Sequence, residues 1–157
     1  MADFAVVATR IEGVWEVAVL PERLVEDFEG LIAALRQQSG EAGVIGLVNV
    51  ADEFFVAVRL LGPEPRVLLS DYTAAVAWDL AAEVVDYLGM DRPGDDDVED
   101  VRPAGDLKLF ADLGLDEMDL SMMLGDLDAY ADETLLTMAH RLGFGDAYER
   151  VVEPVLH

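Results

Sequence analysis

Short apolar runs separated by turn signals fill the first part of the sequence, and this alternation limits the fold more than any other feature. Gly13 follows the first run and can adopt the positive φ that a tight hairpin requires. The later runs are joined by short turns, which predict an antiparallel meander. Five strands are expected, at residues 4–10, 14–20, 44–50, 54–61 and 66–70.

Two segments between and after these runs have helical spacing. Val25, Phe28, Leu31 and Leu35 recur on one side of a helix, and a second apolar stripe follows Asp79. The predicted order is β-β-α-β-β-β-α, an α+β fold with one five-stranded antiparallel sheet and flanking helices. This order resembles that of profilin-like and longin-like domains, many of which are adaptors.

A proline-flanked acidic run, from Arg92 to Pro103, interrupts the pattern. Beyond it the sequence predicts helices only, at 107–113, 117–124, 132–142 and 146–152. Leu-Gly pairs at residues 88–89, 113–114 and 142–143 are typical of helix ends, because glycine readily adopts the left-handed conformation. We therefore expect a sheet domain at 1–90, an acidic linker at 91–105 and a small all-helical region at 106–157.

The charge of the chain excludes several functions. Thirty-three acidic and ten basic residues give a net charge of −23, which opposes direct binding of nucleic acid and favours a basic protein partner. The absence of cysteine excludes disulfides and thiolate metal sites. No apolar stretch is long enough to cross a membrane, so the sequence predicts a cytoplasmic location.

Two motifs suggest cofactor chemistry and fail at decisive positions. Residues 112–120 resemble the carrier site of acyl carrier proteins, but Glu117 replaces the serine that would be modified. Residues 126–132 resemble the start of an EF-hand loop, yet Ala131 and Thr137 occupy the positions that need glycine and glutamate. The sequence thus identifies no catalytic residue, cofactor or metal site.

Two further groups have both an ordinary and a functional interpretation. His140 follows a predicted apolar stripe, which favours a surface or helix-terminal histidine over a catalytic base needing Ser70 or Thr73 beside it. Met118, Met122 and Met123 lie in a flexible apolar cluster, which is more often core than a partner surface.

Segments spread over nearly the whole chain carry a resemblance to one family. They are FAVVA at 4–8, IGLVNV at 45–50, EFFV at 53–56, LLSDYTAA at 68–75, Trp78, PAGDL at 103–107, ADLGL at 111–115 and RLGF at 141–144. Together they resemble the tRNA adenosine deaminase-associated proteins of actinobacteria. The resemblance implies a protein partner, the deaminase, and implies no catalytic residues.

The chain is not expected to be the deaminase itself, because a zinc deaminase requires a Pro-Cys-x-x-Cys motif and this sequence has no cysteine. We expect a non-enzymatic accessory protein that presents acidic side chains to a basic partner. The candidate partner-binding residues are Asp95, Asp96, Asp97, Glu99, Asp100, Asp126 and Asp128. An enzyme with a metal-assisted carboxylate site, an adaptor unrelated to tRNA, and self-association all stay open at this point.

Overall fold

The computed structural model describes residues 3–94, 96, 101–126 and 128–156. The strands are β1 (Phe4–Ile11), β2 (Val14–Val19), β3 (Val44–Val50), β4 (Phe54–Leu60), β5 (Arg66–Leu69) and β6 (Ala104–Gly105). The α-helices are α1 (Phe28–Arg36), α2 (Asp79–Tyr87), α3 (Glu117–Leu124), α4 (Ala131–Leu142) and α5 (Gly145–Leu156). Short 3-10 helices precede α1 and α2, and a third at Ala111–Leu113 replaces most of the helix predicted at 107–113.

The strands form one antiparallel sheet in the order β2-β1-β3-β4-β5-β6. The hairpin between β1 and β2 turns at Glu12 and Gly13, both at positive φ, as the sequence predicts. The meander of β3, β4 and β5 is also confirmed. The five predicted strands match the structure within one residue at each end.

The prediction of five strands is wrong, because β6 adds a sixth. Ala104 and Gly105 pair with Leu69 and Leu68 at the edge of the sheet, inside the segment predicted to be linker. A two-residue strand has no periodicity of its own, and glycine disfavours strands. The pairing depends on β5, which is distant in sequence. Four of the five acids of the acidic run, Asp95, Asp97, Glu99 and Asp100, lie outside the described residues.

One face of the sheet carries α1 and α2, which we call the N-terminal layer. Leu31 and Leu35 of α1 and Val84 of α2 pack in a buried cluster with Val56 and Val58 of β4. Asp27 begins α1 by accepting a hydrogen bond from the Gly30 amide, 2.9 Å away. The amphipathic stripes recognised in the sequence therefore form one apolar core.

The opposite face carries α3, α4 and α5, which we call the C-terminal layer. Leu135 and Met138 of α4 and Tyr148 of α5 pack with Phe55 and Ala57, the residues of β4 that alternate with those facing the N-terminal layer. All seven residues of β3 and all seven of β4 are buried, because both faces of these strands are covered. The sheet is thus the middle of three layers. The division of the chain into a sheet domain, a linker and a helical region, with boundaries at 90 and 105, stays a prediction.

A buried arginine joins the C-terminal layer to the sheet. Arg59 of β4 donates to the carboxylate oxygens of Asp112 at 2.8 and 3.0 Å and to the Leu109 carbonyl at 2.9 Å. It also donates two hydrogen bonds to the Ala42 carbonyl. Its guanidinium therefore bonds both the loop before β3 and the segment that leads into α3. Charge-assisted hydrogen bonds offset the cost of burying this cation.

The three Leu-Gly pairs end helical segments as predicted. Gly89, Gly114 and Gly143 have φ values of 73°, 96° and 105°. The Phe144 amide then bonds back to the Ala139 carbonyl, which completes the end of α4. Among the described residues, no helix has the length and apolarity needed to cross a membrane.

Candidate protein-docking surface

Helix α3 exposes large apolar side chains. Leu120 is fully buried on the sheet, whereas Met118 and Met122, one turn apart, are 73% and 72% exposed. The prediction that the methionine cluster belongs to the core is therefore wrong for these two residues. Apolar residues surround α3 on several sides, so its pattern does not reveal which side faces the sheet.

These methionines belong to a larger exposed group. The three most exposed large hydrophobic side chains in the described part of the chain are Met118, Met122 and Tyr130, the last at 64%. All three lie in α3 or in its connection to α4. We call this group, with its exposed carboxylates Glu117, Asp126, Asp128 and Glu133, the acidic methionine surface.

A groove of about 370 Å³ lies within this surface, between α3 and α4. Its walls combine thioether, methyl, hydroxyl and carboxylate groups, from Met122, Met123, Asp126, Ala129, Glu133, Thr134 and Thr137. Methionine side chains adjust easily to the shape of a partner. The groove therefore suits an apolar side chain next to a basic one.

The acids of this surface keep their negative charge available. Asp119 on the neighbouring side of α3 pairs with Arg141 at 2.7 Å. No ion pair engages Asp126, Asp128 or Glu133 within the described ranges. Asp126 and Asp128, which the sequence proposed for partner binding, are exposed here, as is Asp96 within the acidic run. Their binding role stays a prediction.

Sequence reasoning named Met118 and Met122 but favoured a core position for them, and it did not single out Tyr130. The available signal was the lack of a clear apolar stripe in α3, in contrast to α1 and α2. An exposed apolar patch edged by charges is typical of a protein-binding site.

Several polar side chains lie close together beneath the first turn of α4. Asn49 of β3 donates to Asp52 at 2.7 Å, and the Asp52 carbonyl accepts from the Ala131 amide at 3.2 Å. Burial, with the Asp52 charge, raises the pKa of Asp132. The Tyr148 hydroxyl is buried there and has no hydrogen-bond partner among the described residues, and burial raises the pKa of its phenol. This phenol stays protonated at neutral pH and is a poor nucleophile.

Another groove, of about 520 Å³, lies between α1 and α2. Two of its polar groups have partners within the fold: Glu83 accepts from the Phe28 amide at 3.1 Å, and Asp86 pairs with Arg92 at 2.6 Å. Glu29 and Arg36 of α1 also line this groove.

His140 lies exposed in the last turn of α4, which confirms the surface, helix-terminal placement. Its Nε2 lies 3.3 Å from Glu149 of α5. The two hydroxyls considered as its partners are used elsewhere, since Ser70 accepts from the Phe55 amide and Thr73 donates to Asp71. His140, Asp146 and Glu149 are the described residues whose ligand atoms lie close enough to hold a metal ion together.

Comparison with known proteins places this architecture in a family. The model of the Rv3753c-like tRNA adenosine deaminase-associated proteins matches residues 3–145. The chain belongs to this family. Protein Rv3753c of Mycobacterium tuberculosis is 39% identical over 152 residues, which cover 96% of this chain and 87% of that protein. No solved structure matches the chain.

The family match covers all six strands together with α3 and α4. The match therefore includes every residue of the acidic methionine surface. It ends at Gly145, the first residue of α5. The resemblance stated from the sequence is confirmed.

Proposed function

We propose that this protein is a non-catalytic partner of a tRNA adenosine deaminase and docks on that enzyme through the acidic methionine surface. The family description supports a deaminase as the associated protein. The observation that carries the choice of surface is the exposure of Met118, Met122 and Tyr130 among exposed carboxylates.

Charge complementarity supports this partner. An enzyme that acts on tRNA must hold a polyanion, so its substrate-binding surface is rich in arginine and lysine. The acidic methionine surface offers carboxylates to such cations and methionines to the apolar parts of their side chains. The same net charge of −23 disfavours direct binding of this chain to tRNA.

The first test is binding of the purified protein to the deaminase encoded by the same genome, at low and at high salt. We expect a complex that weakens as salt increases, because exposed charges are screened. An absence of binding at both salt concentrations would overturn the proposal.

Paired variants then locate the contact. Met118→Ser with Met122→Ser removes the apolar part of the surface, and we expect about tenfold weaker binding. The matched control is Val14→Ser with Leu61→Ser, which changes two exposed apolar residues, one at the start of β2 and one just after β4. Equal effects of both pairs would contradict a specific surface on α3.

Charge-neutralising variants test whether the acids that follow α3 or those of the acidic run contact the deaminase. Asp126→Asn with Asp128→Asn should weaken binding and flatten its salt dependence, whereas Glu22→Gln with Glu29→Gln, both exposed on the other layer, should not. Replacing Asp95, Asp96, Asp97, Glu99 and Asp100 by Asn or Gln tests the acidic run. Unchanged binding in that variant would reduce the run to a spacer.

A further inference from the structure

The turn between α4 and α5 brings three metal-ligating side chains together. The ligand atoms of His140, Asp146 and Glu149 all lie within 4.8 Å of one another. Asp146 and Glu149 are three residues apart on α5 and so face the same side of that helix, towards the end of α4. All three side chains are exposed, so an ion can enter from solvent.

The best-defined separation fits a metal site. Nε2 of His140 lies 3.3 Å from Oε1 of Glu149. Metal–ligand bonds of about 2.0–2.1 Å in a tetrahedral site place two ligand atoms about 3.3 Å apart. The same two atoms also lie within the range of a direct hydrogen bond or ion pair with each other.

The backbone of the turn lies directly against the imidazole. A Cβ atom at Gly145 would lie 2.1 Å from Nδ1 and 2.3 Å from Cγ of His140, so the ring packs on this glycine. Glycine leaves room here for the ring orientation that brings Nε2 beside Glu149.

The donor set indicates the class of ion. One imidazole nitrogen and two carboxylates are typical ligands of first-row divalent metals, whereas calcium and magnesium prefer oxygen ligands alone. Two carboxylates also match the charge of a divalent cation. An adjoining cavity of about 280 Å³, lined in part by Trp15, His140, Asp146 and Arg150, leaves space for water at a fourth position.

We propose that His140, Asp146 and Glu149 form a binding site for a first-row divalent cation such as Zn²⁺. The site lies at the α4–α5 turn and does not depend on docking through α3. It is a different kind of site from the thiolate site that the absence of cysteine excludes.

Calorimetric titration of the full-length, untagged and chelator-treated protein with ZnCl₂ tests this site. We expect one equivalent to bind and to raise the thermal unfolding midpoint, because the ion binds the folded state. His140→Gln and Glu149→Gln should each weaken binding about tenfold or more. Both side chains are exposed, so these variants keep the core intact.

Two matched controls decide the outcome. His157→Gln removes the second imidazole of the chain, and Glu153→Gln removes an exposed carboxylate one turn beyond Glu149. Both should bind Zn²⁺ like the parent protein. Unchanged binding in His140→Gln, or an equal loss in Glu153→Gln, would show diffuse attraction to acidic side chains and overturn the site. Equal affinity for MgCl₂ would overturn the assigned class of ion.

Discussion

The two helical layers bury the sheet equally well and differ in what they show to solvent. In the N-terminal layer, Leu31, Leu35 and Val84 lie on clear apolar stripes. In the C-terminal layer, Leu120 and Leu135 are just as buried, but Met118 and Met122 face outwards. Acidic residues are also denser there, with 18 acids and five bases in residues 91–157.

The two layers also differ in the contacts that hold them on the sheet and in whether they carry a candidate functional site. The N-terminal layer is connected to the sheet by apolar packing, whereas the C-terminal layer adds the ionic contact of Asp112 with Arg59. The acidic methionine surface and the His140 cluster both belong to the C-terminal layer. The following variants test how far the two layers differ.

The largest expected effect comes from a cavity in either layer. Leu31→Ala and Leu135→Ala each remove a fully buried side chain and should lower the free energy of unfolding by about 3 kcal/mol. Both variants should unfold in one transition, because the layers share the sheet. Chemical denaturation measures both quantities.

The two tryptophans can report on the layers separately. Trp15 packs on Phe144, between α4 and α5, at 5.0 Å between ring centroids, and Trp78 packs on Phe54 of β4, on the face that the N-terminal layer covers, at 6.0 Å. Unfolding curves followed by the fluorescence of the remaining tryptophan should coincide in the Trp15→Phe and Trp78→Phe variants. If Leu135→Ala shifts only the Trp15 signal, the C-terminal region is an independent unit, as the boundaries predicted from the sequence imply.

The ionic contact should contribute the next largest effect. Asp112→Ala leaves the buried Arg59 with carbonyl acceptors alone, and we expect a loss of about 2 kcal/mol in unfolding free energy. The side chain of Asp112 is 54% exposed, which keeps the effect below that of a fully buried pair. The control is Asp126→Ala, which removes an exposed carboxylate that forms no ion pair with any described residue and should change little.

The same contact gives a pH dependence. The hydrogen bond from Arg59 lowers the pKa of Asp112, so its stabilising effect is present above the usual carboxyl pKa and is lost as pH falls through the lowered value. Burial raises the pKa of Asp132, so its effect has the opposite sign, and stability falls as pH rises through the raised value. Unfolding free energies across the acidic range should therefore show less acid destabilisation in Asp112→Asn, and a smaller loss with rising pH in Asp132→Asn.

The sixth strand can be tested with two glycines of similar φ, Gly105 at 109° and Gly62 at 105°. A Cβ at Gly105 would lie 2.2 Å from the Val67 carbonyl oxygen, whereas nothing lies within 4 Å at Gly62. Both alanine variants strain the backbone, and Gly105→Ala should be at least about 1 kcal/mol more destabilising by thermal denaturation. Equal losses would show that β6 does not pack closely on β5.

The smallest effect should distinguish two buried tyrosines. The Tyr72 hydroxyl donates to the Asp91 carbonyl, so Tyr72→Phe should cost about 1 kcal/mol of unfolding free energy. The Tyr148 hydroxyl is buried and has no partner within the described part of the chain, so Tyr148→Phe should be neutral or slightly stabilising. A loss in Tyr148→Phe equal to that in Tyr72→Phe would reveal a hydrogen bond in the C-terminal layer.

Much of the fold could be predicted because its signals are local. The apolar runs and Gly13 fix the first five strands, and glycines such as Gly114 and Gly143 fix where helical segments end. The continuous apolar character of β3 and β4 also indicates strands that are buried on both faces, and such strands need a second covering layer.

The candidate sites were harder to predict because they depend on distant segments. The acids Asp126 and Asp128 could be proposed from charge alone. The exposure of Met118 depends on how α3 lies on the sheet, and the cluster at His140 depends on the angle between α4 and α5.

The sequence by itself determined the local elements, the acidic character and the family resemblance, because periodicity, turn chemistry and composition act over short distances. The tertiary structure alone decided that the C-terminal helices cover the second face of the sheet, that Ala104 and Gly105 extend its edge, and that Arg59 is buried against Asp112. These features arise from contacts between residues far apart in the chain, where the gain from burial and hydrogen bonding outweighs weak local preference.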